Sequence, residues 1–323
     1  MTDPQPVVLV ETPEIAERGP VLHVVSMSGG KDSTATALLS RETVDPETII
    51  YAFADTGNEH PLTYEYLVYL EAQLGISIVR LRRSFDAEIA HRREWLKENG
   101  DARGYTLAAI DRALAVLVPS GNPYLDLCMY KGRFPSRKAQ FCTQFLKTEP
   151  LVEYQMGLID EGFVVWSWQG IRADEGGRRR FAASFEEVGG GLFINRPILR
   201  WSAADTFEAM RVSGIEPNPL YKLGMGRVGC MPCINANKAE IGEIAARFPE
   251  QIERILEWER LVTQASKREA ASFFLNPDRE AHLNKRGIIN IVEWSKTTRG
   301  GKQFDLLTDP EPTACSSSYG LCE

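Results

Sequence analysis

Residues 21–39 read VLHVVSMSGGKDSTATALL, an apolar β-prone run, a loop of small residues and then a helix-forming run. That order predicts a strand, a tight turn and a helix that opens onto whatever sits at the turn. Gly29 and Gly30 allow backbone conformations closed to other residues and let the chain approach a ligand closely, while the first amides of the helix, at Ser33 and beyond, lack intrahelical partners. Unpaired N–H groups and the positive end of the helix dipole favour an anion by roughly 0.3–1 kcal/mol when exposed and up to about 2 kcal/mol when partly buried. The expected anion is a phosphate.

The loop is not a Walker A element, which needs four residues between its first Gly and the Gly-Lys pair; here Gly29, Gly30 and Lys31 are contiguous. It is not the dinucleotide fingerprint either. Downstream, residues 47–55 (ETIIYAFAD) predict a second short strand ending at Asp55, 62–74 a helix, and 76–81 a third strand. Strand, helix, strand, helix, strand is the order of a doubly wound parallel α/β sheet, in which ligands gather at the carboxyl ends of the strands, so Asp55 and Thr56 fall beside the first loop. Residues 85–119 read as largely helical and polar. Residues 163–169 (FVVWSWQ) predict a buried strand running into Gly170-Ile171-Arg172 and an arginine cluster at 178–180, and 192–199 a further strand. Ser202 is expected to cap a helix through Val212. Helices are expected at 239–248 and 249–274, and a β-prone stretch at 287–294.

Composition narrows the class. A net charge of −7 leaves no global basic footprint, so any nucleic-acid contact has to rest on a local patch such as Lys131, Arg133, Arg137 and Lys138. Met1 to Pro20 is acidic and contains prolines, unlike a signal peptide, and no apolar run has the length of a membrane span. A cytoplasmic location follows as the expectation. There thiols stay reduced, so the six cysteines point to metal or redox chemistry rather than disulfides.

Ser28-Gly29-Gly30-Lys31-Asp32-Ser33 resembles the S-G-G-x-D-S loop of the PP-loop, or adenine nucleotide alpha hydrolase, superfamily. Three further stretches are similar to the phosphoadenosine phosphosulfate (PAPS) reductase branch and its DNA-phosphorothioation relatives. These are Asp55-Thr56-Gly57-Asn58, Cys142-Thr143 with Leu146-Lys147 and Pro150, and Gly170-Ile171-Arg172 closed by Arg178. A fourth, PILRWSAADTFEAMRVSGIEPNPLYKLGMGRVGCMPC, shares the N-P-L-Y and R-x-G-C-x-x-C patterns. The resemblance covers roughly residues 21–237. It implies a PP-loop, Rossmann-like domain over 18–237 with a helical insertion at about 85–140, followed by a helical region, 238–323, with a cysteine-bearing tail. It also implies a nucleotide site built from Ser26, Ser28, Gly29, Gly30, Lys31, Asp32, Ser33, Asp55, Thr56, Gly170, Arg172 and Arg178. The chain departs from the cluster-bearing reductases in having Phe141, not a second cysteine, before Cys142, and from the usual C-G-[LI]-H tail in ending Gly320-Leu321-Cys322-Glu323.

Cys230-x-x-Cys233 lets two thiolates reach one metal centre, but a zinc ribbon requires a second such pair, and the sequence has none. Ligand softness and the resemblance favour a [4Fe-4S] cluster over zinc, on Cys142, Cys230, Cys233 and Cys322, with Cys315 or Cys128 as alternative fourth ligands. The four histidines have no metal-binding spacing.

Three functions remain open. In the first, ATP with Mg²⁺ adenylates a substrate, pyrophosphate leaves onto the loop, and sulfur is transferred to a nucleic-acid or small-molecule acceptor, with a cysteine desulfurase as sulfur donor. In the second, PAPS or its unphosphorylated relative APS is reduced to sulfite by Cys322 with a thioredoxin-type donor. In both, Lys31, Asp32 and Cys322 are the expected catalytic residues. The third is a non-catalytic, nucleotide-binding regulatory subunit. No membrane partner is expected.

Overall fold

The computed structural model describes residues 18–274 and 287–297; Cys315, Cys322 and His282 lie outside the described residues, as does the side chain of Arg178. Strand β1 (Val21–Met27) runs through the Ser28–Gly30 turn into helix α1 (Lys31–Thr43). Then come β2 (Ile49–Ala54), α2 (Pro61–Leu74) and β3 (Ile78–Leu81). The nitrogen Nδ1 of His60 accepts the Leu62 amide at 3.1 Å and so caps the start of α2, which Gly75 ends in the left-handed conformation at φ 62°. Helices α3 (Asp86–Asn99), α4 (Leu107–Val116) and α5 (Pro123–Lys131) follow. A short helical turn at Phe141 then passes through a π-helical turn, Gln144–Thr148, into α6 (Glu149–Asp160).

The second half of the sheet is β4 (Val164–Trp168), β5 (Phe185–Gly189) and β6 (Leu192–Asn195). The order β3-β2-β1-β4-β6-β5 is parallel throughout except for β5, which pairs antiparallel to β6 at the edge. The molecule is thus the doubly wound α/β fold expected. The β5–β6 hairpin was not legible: its outer strand is mostly exposed and carries Glu186, Glu187 and a Gly-Gly-Gly turn instead of an apolar run. The β6 strand stops at Asn195, short of the expected Leu199, because Arg196 to Leu199 turn back on themselves through a Leu199 N–H bond to the Arg196 carbonyl.

Beyond the sheet lie α7 (Ala203–Val212), the single turn α8 (Pro219–Lys222), α9 (Lys238–Arg247), α10 (Pro249–Ala265) and α11 (Ile288–Ser295). Ser202 and Asp205 form a reciprocal capping box on α7, as the Ser-x-x-Asp spacing implies. Two expectations fail here. Helix α10 ends at Ala265 instead of Phe274, since Ser266 leaves the helical conformation at ψ 139°. Residues 288–295 form a helix, not a strand: Ile288, Ile291 and Val292 are spaced three and four apart and all face the core, so tertiary packing overrides β-propensity.

Alternate residues of the central strands feed opposite faces, as parallel strands require. Val25, Phe53, Trp166 and Trp168 pack with Leu38 and Leu67 on one side; Val24, Ala52 and Val165 meet Leu151 and Leu158 on the other. A third core is wholly helical and joins α3–α5 to α9–α11 through Ile89, Leu96, Ile241, Ile255, Trp258 and Ile288. Among the described residues no helix is long and apolar enough to cross a membrane.

Candidate nucleotide and thiol site

The strand order reverses at β1, flanked by β2 on one side and β4 on the other, so the loops after β1 and β4 open a crevice at the carboxyl ends of the strands. The Ser28–Ser33 loop lines it. The Ser33 hydroxyl donates to the Gly30 carbonyl at 3.0 Å and accepts the Ser28 amide at 3.1 Å, which folds the loop on itself. Gly29 sits at φ 71°, and a Cβ there would lie 2.8 Å from the Thr63 methyl, so both conformation and space call for glycine. Helix α1 has no side-chain cap, and the amides of Asp32 and Ser33 in its first turn have no intrahelical acceptor.

Distant residues close this loop. The Tyr221 hydroxyl accepts the Lys31 amide at 2.9 Å and the Asn218 amide nitrogen donates to the Gly29 carbonyl at 3.0 Å. Lys31 is buried, with its ammonium 3.4 Å from the Asp32 carboxylate and 5.5 Å from the centre of the Tyr221 ring. From the β4 side, Arg172 donates through Nε to the other Asp32 oxygen at 2.6 Å and also pairs with Asp174. Burial opposes the Arg172 charge, but Asp32 and Asp174 overcome it and raise its pKa above the ordinary arginine value. Arg179 stands close enough to feel Asp32, Arg172 and Arg227; burial first, then the Arg227 guanidinium, lowers its pKa. Gly170 makes the approach feasible: a Cβ there would fall 2.8 Å from both the Asp32 carbonyl and the Thr36 hydroxyl. Asp32 therefore holds two cations in place beside a helix N-terminus, an arrangement suited to polyphosphate.

Other predicted residues take different places. The Asp55 carboxylate accepts from the Gly57 amide at 2.9 Å, the Tyr64 hydroxyl at 2.7 Å and Arg82 at 2.8 Å, so it braces its own turn. Ser26 is half-buried within β1. Thr56 faces the cysteines: its hydroxyl bonds the buried Glu59 carboxylate at 2.8 Å and lies 3.5 Å from Cys230 Sγ.

Around that point four thiols from three segments gather. The Tyr124 hydroxyl, buried and without a hydrogen-bond partner, lies within electrostatic reach of Cys128, Cys142, Cys230 and Cys233. Cys230 donates to Glu59 at 3.6 Å, and the Asn235 amide donates to Cys233 at 3.5 Å. Asn58 donates to the Pro232 carbonyl and Arg254 to the Met231 carbonyl, which pins the C-x-x-C loop to the turn after β2 and to α10. Burial pushes the Cys230 thiol up to about 12, with Lys147 pulling against it and Glu59 and Cys233 adding to it. The Lys147 ammonium is raised, chiefly by Cys230. The Cys128 thiol is raised well above its usual value by burial and then by Cys142. These soft donors suit a thiolate-bound metal in kind. Among the described residues, however, no three His, Cys, Asp or Glu side chains stand where they could hold a metal ion.

Residues 22–103 and 108–236 match the family model of the phosphoadenosine phosphosulfate reductase domain. The chain belongs to that family. A relative from Escherichia phage 186, described as an uncharacterized 37.8 kDa protein, is 42% identical over 94% of this chain and 97% of its own length. The nin region protein ORF290 of phage lambda is 26% identical over 73% of each chain. An uncharacterized protein of Methanocaldococcus jannaschii is 25% identical over 76% of this chain, which spans 42% of it. Among solved structures, the PAPS reductase of Candida auris in a phosphate complex superposes with a TM-score of 0.39 at 15% identity, over 65% of this chain and 82% of that one. The FMN adenylyltransferase of Candida glabrata bound to FMN and an ATP analogue gives 0.38 at 12%, over 66% and 56%.

Within this family framework, sequence reasoning missed residues whose role depends on long-range contact. Asn218 and Tyr221 were visible only as part of a motif, and nothing local signals that they grip a loop 190 positions away. Glu59 and Tyr124 around the thiols carried no signal, and Lys147, five residues after Cys142, was visible only as part of a motif with no hint that it acts on Cys230.

Proposed function

We propose that this chain is an adenine-nucleotide-dependent enzyme of sulfur chemistry, in which the Ser28–Ser33 loop holds the phosphates and exposes the α-phosphorus. The observation that carries this reading is the convergence of Lys31, Arg172, Arg179 and the first-turn amides of Asp32 and Ser33, which have no intrahelical acceptor, on the crevice beside Asp32. With ATP and Mg²⁺, a substrate oxygen attacks the α-phosphorus and the bond to the β,γ-pyrophosphate breaks. The departing charge falls on Gly29, Gly30, Lys31 and Ser33, donors whose loss costs on the order of 2.7–4 kcal/mol in activation free energy. A thiolate then attacks the adenylated carbon, and AMP leaves with the substrate oxygen. In this scheme Asp32 orients Lys31 and Arg172 rather than touching the reacting atoms. Arg178, Asp55 and Ser26 complete the proposed set of nucleotide-site residues.

A [4Fe-4S] cluster, favoured over zinc, would be held by Cys142, Cys230 and Cys233. The place of Cys128 near the same Tyr124 hydroxyl keeps it a candidate fourth ligand beside Cys322 and Cys315. Bound there, it would supply a sulfur or electron relay. Its assembly requires the raised thiols to lose protons and draw together.

The family's own description favours a second reading, reduction of PAPS or APS, in which Cys322 attacks the sulfur and a thioredoxin-type thiol releases sulfite. Supplying ATP, APS and PAPS separately to anaerobically purified protein separates the two. Pyrophosphate and AMP from ATP are expected, with iron in the protein and loss of turnover in Lys31→Ala. Sulfite from PAPS without pyrophosphate from ATP would overturn the first reading in favour of the second.

A further inference from the structure

On the helical side of the molecule a cavity of about 330 Å³ opens between the Phe134–Arg137 loop, α9 and α11. Its walls are aromatic and aliphatic: Phe134, Phe273, Phe274 and Trp294 with Ile234 and Ile241. That volume lies at the lower end of small-molecule sites, and flat rings fit walls of this kind. Two cations, Arg137 and Lys238, stand in the lining, and no Asp or Glu is among the described residues that line it. Lys238 lies 4.8 Å from the centre of the Trp294 ring and donates to the Thr297 carbonyl, while Arg137 places one of its five N–H donors on the Ala236 carbonyl at 3.1 Å. A mostly apolar chamber with cations and no carboxylate on its walls favours a ligand whose charge is negative and localised at one end.

The cavity is separate from the Ser28–Ser33 loop and adjoins the segment that follows Cys233. Ile234 directly follows Cys233, and Phe273 lies stacked 5.9 Å from Tyr124, whose buried hydroxyl is within electrostatic reach of the four cysteines. We propose that this cavity is a second small-molecule site, taking a flat, mostly apolar molecule of one or two rings that carries a single carboxylate or comparable anionic group. The site stands independently of what the loop binds, and its occupant would press on the ring that backs the thiol cluster.

Calorimetry on the full chain tests this with 2-naphthoate as the probe and the neutral 2-naphthalenemethanol as its partner. One saturable site per chain is expected for naphthoate, weakened at least tenfold in Ile241→Trp, which fills the chamber. In Arg137→Gln, a change at an exposed side chain that leaves the walls in place, naphthoate is expected to weaken five- to tenfold and the neutral probe by less than twofold. Saturating ATP is expected to leave naphthoate bound. Absence of saturable naphthoate binding, equal losses for both probes in Arg137→Gln, or displacement by ATP would each overturn the assignment.

Discussion

His23 occupies the middle of β1, almost fully buried, and its Nδ1 accepts the Trp168 indole N–H at 3.1 Å across the β1–β4 pair. The imidazole must therefore be neutral, and burial lowers its pKa from 6.5 to about 4. Because the unfolded chain binds the proton more readily, stability is unaffected above pH 6.5, falls as the pH drops from 6.5 towards 4, and falls no further below that from this group. The full loss is about 3 kcal/mol at 1.36 kcal/mol per pK unit. Urea midpoints at pH 7 and 4.5 for the native chain and His23→Gln, which keeps an acceptor for the indole, are expected to show a steeper acid loss in the native chain by about 2–3 kcal/mol. Equal losses would mean that His23 is not the group responsible. The sequence showed that His23 has no ligand spacing; that it is buried against Trp168 depended on the pairing of strands 145 positions apart, which no local pattern contains. The glycine loop was legible because its constraints are local: a positive φ at Gly29 and a helix start without a side-chain cap can be read from six consecutive residues. Asp32 was visible as a member of the loop motif, but not as the carboxylate that ties Lys31 to Arg172.

Among the elements, α11 shows why a β-prone run folds as a helix. Its first amide, on Ile288, donates to the buried Glu259 carboxylate of α10 at 2.8 Å, and the other Glu259 oxygen accepts the Phe273 amide at 2.7 Å. Gly287 permits this contact, with φ 119° and a virtual Cβ 3.0 Å from the same carboxylate. A capped helix start and a core-facing stripe together outweigh the preference of Ile and Val for strands. The parallel strands and α1, α2 and α7 were legible because each carries its own local signal, the glycine turn before α1 and the side-chain caps of α2 and α7, whereas α11 depends on a side chain supplied by another helix. Replacing Glu259 by Ala leaves two buried amides unpaired, and a loss of about 3 kcal/mol is expected in denaturant unfolding. Glu259→Gln, which keeps one carbonyl acceptor, is expected to lose roughly half as much. Faster hydrogen exchange at Ile291 and Val292 in Glu259→Ala would locate the effect in α11. A change below 1 kcal/mol would show that the apolar stripe alone holds the helix.

Across the whole molecule, the sheet and the helical core meet along one stretch of chain. Residues 218–233 begin at Asn218 and Tyr221 on the Ser28–Ser33 loop, pass Gly30 at the Val228 carbonyl, and end at Cys230 and Cys233 among the thiols. The same end is held by Asn58 and Arg254, one from the turn after β2 and the other from α10. A phosphate that draws the loop amides towards itself must work against or with the Tyr221 hydroxyl, and any shift of Tyr221 is carried by about ten residues to Cys230. Nucleotide at 100 times its Kd is expected to stabilise the native chain by about 2.7 kcal/mol. If the stretch transmits that contact, saturating ATP also changes the alkylation rate of Cys230 and Cys233, measured by mass spectrometry of quenched samples, while an unfolded control shows no dependence. In Tyr221→Phe, measured again at saturating ATP so that weaker affinity does not enter, the rate change is expected to disappear while the stabilisation by nucleotide persists. A rate change that survives in Tyr221→Phe would place the link elsewhere, through Thr56 and Glu59 at the end of β2, the other route by which the crevice reaches Cys230.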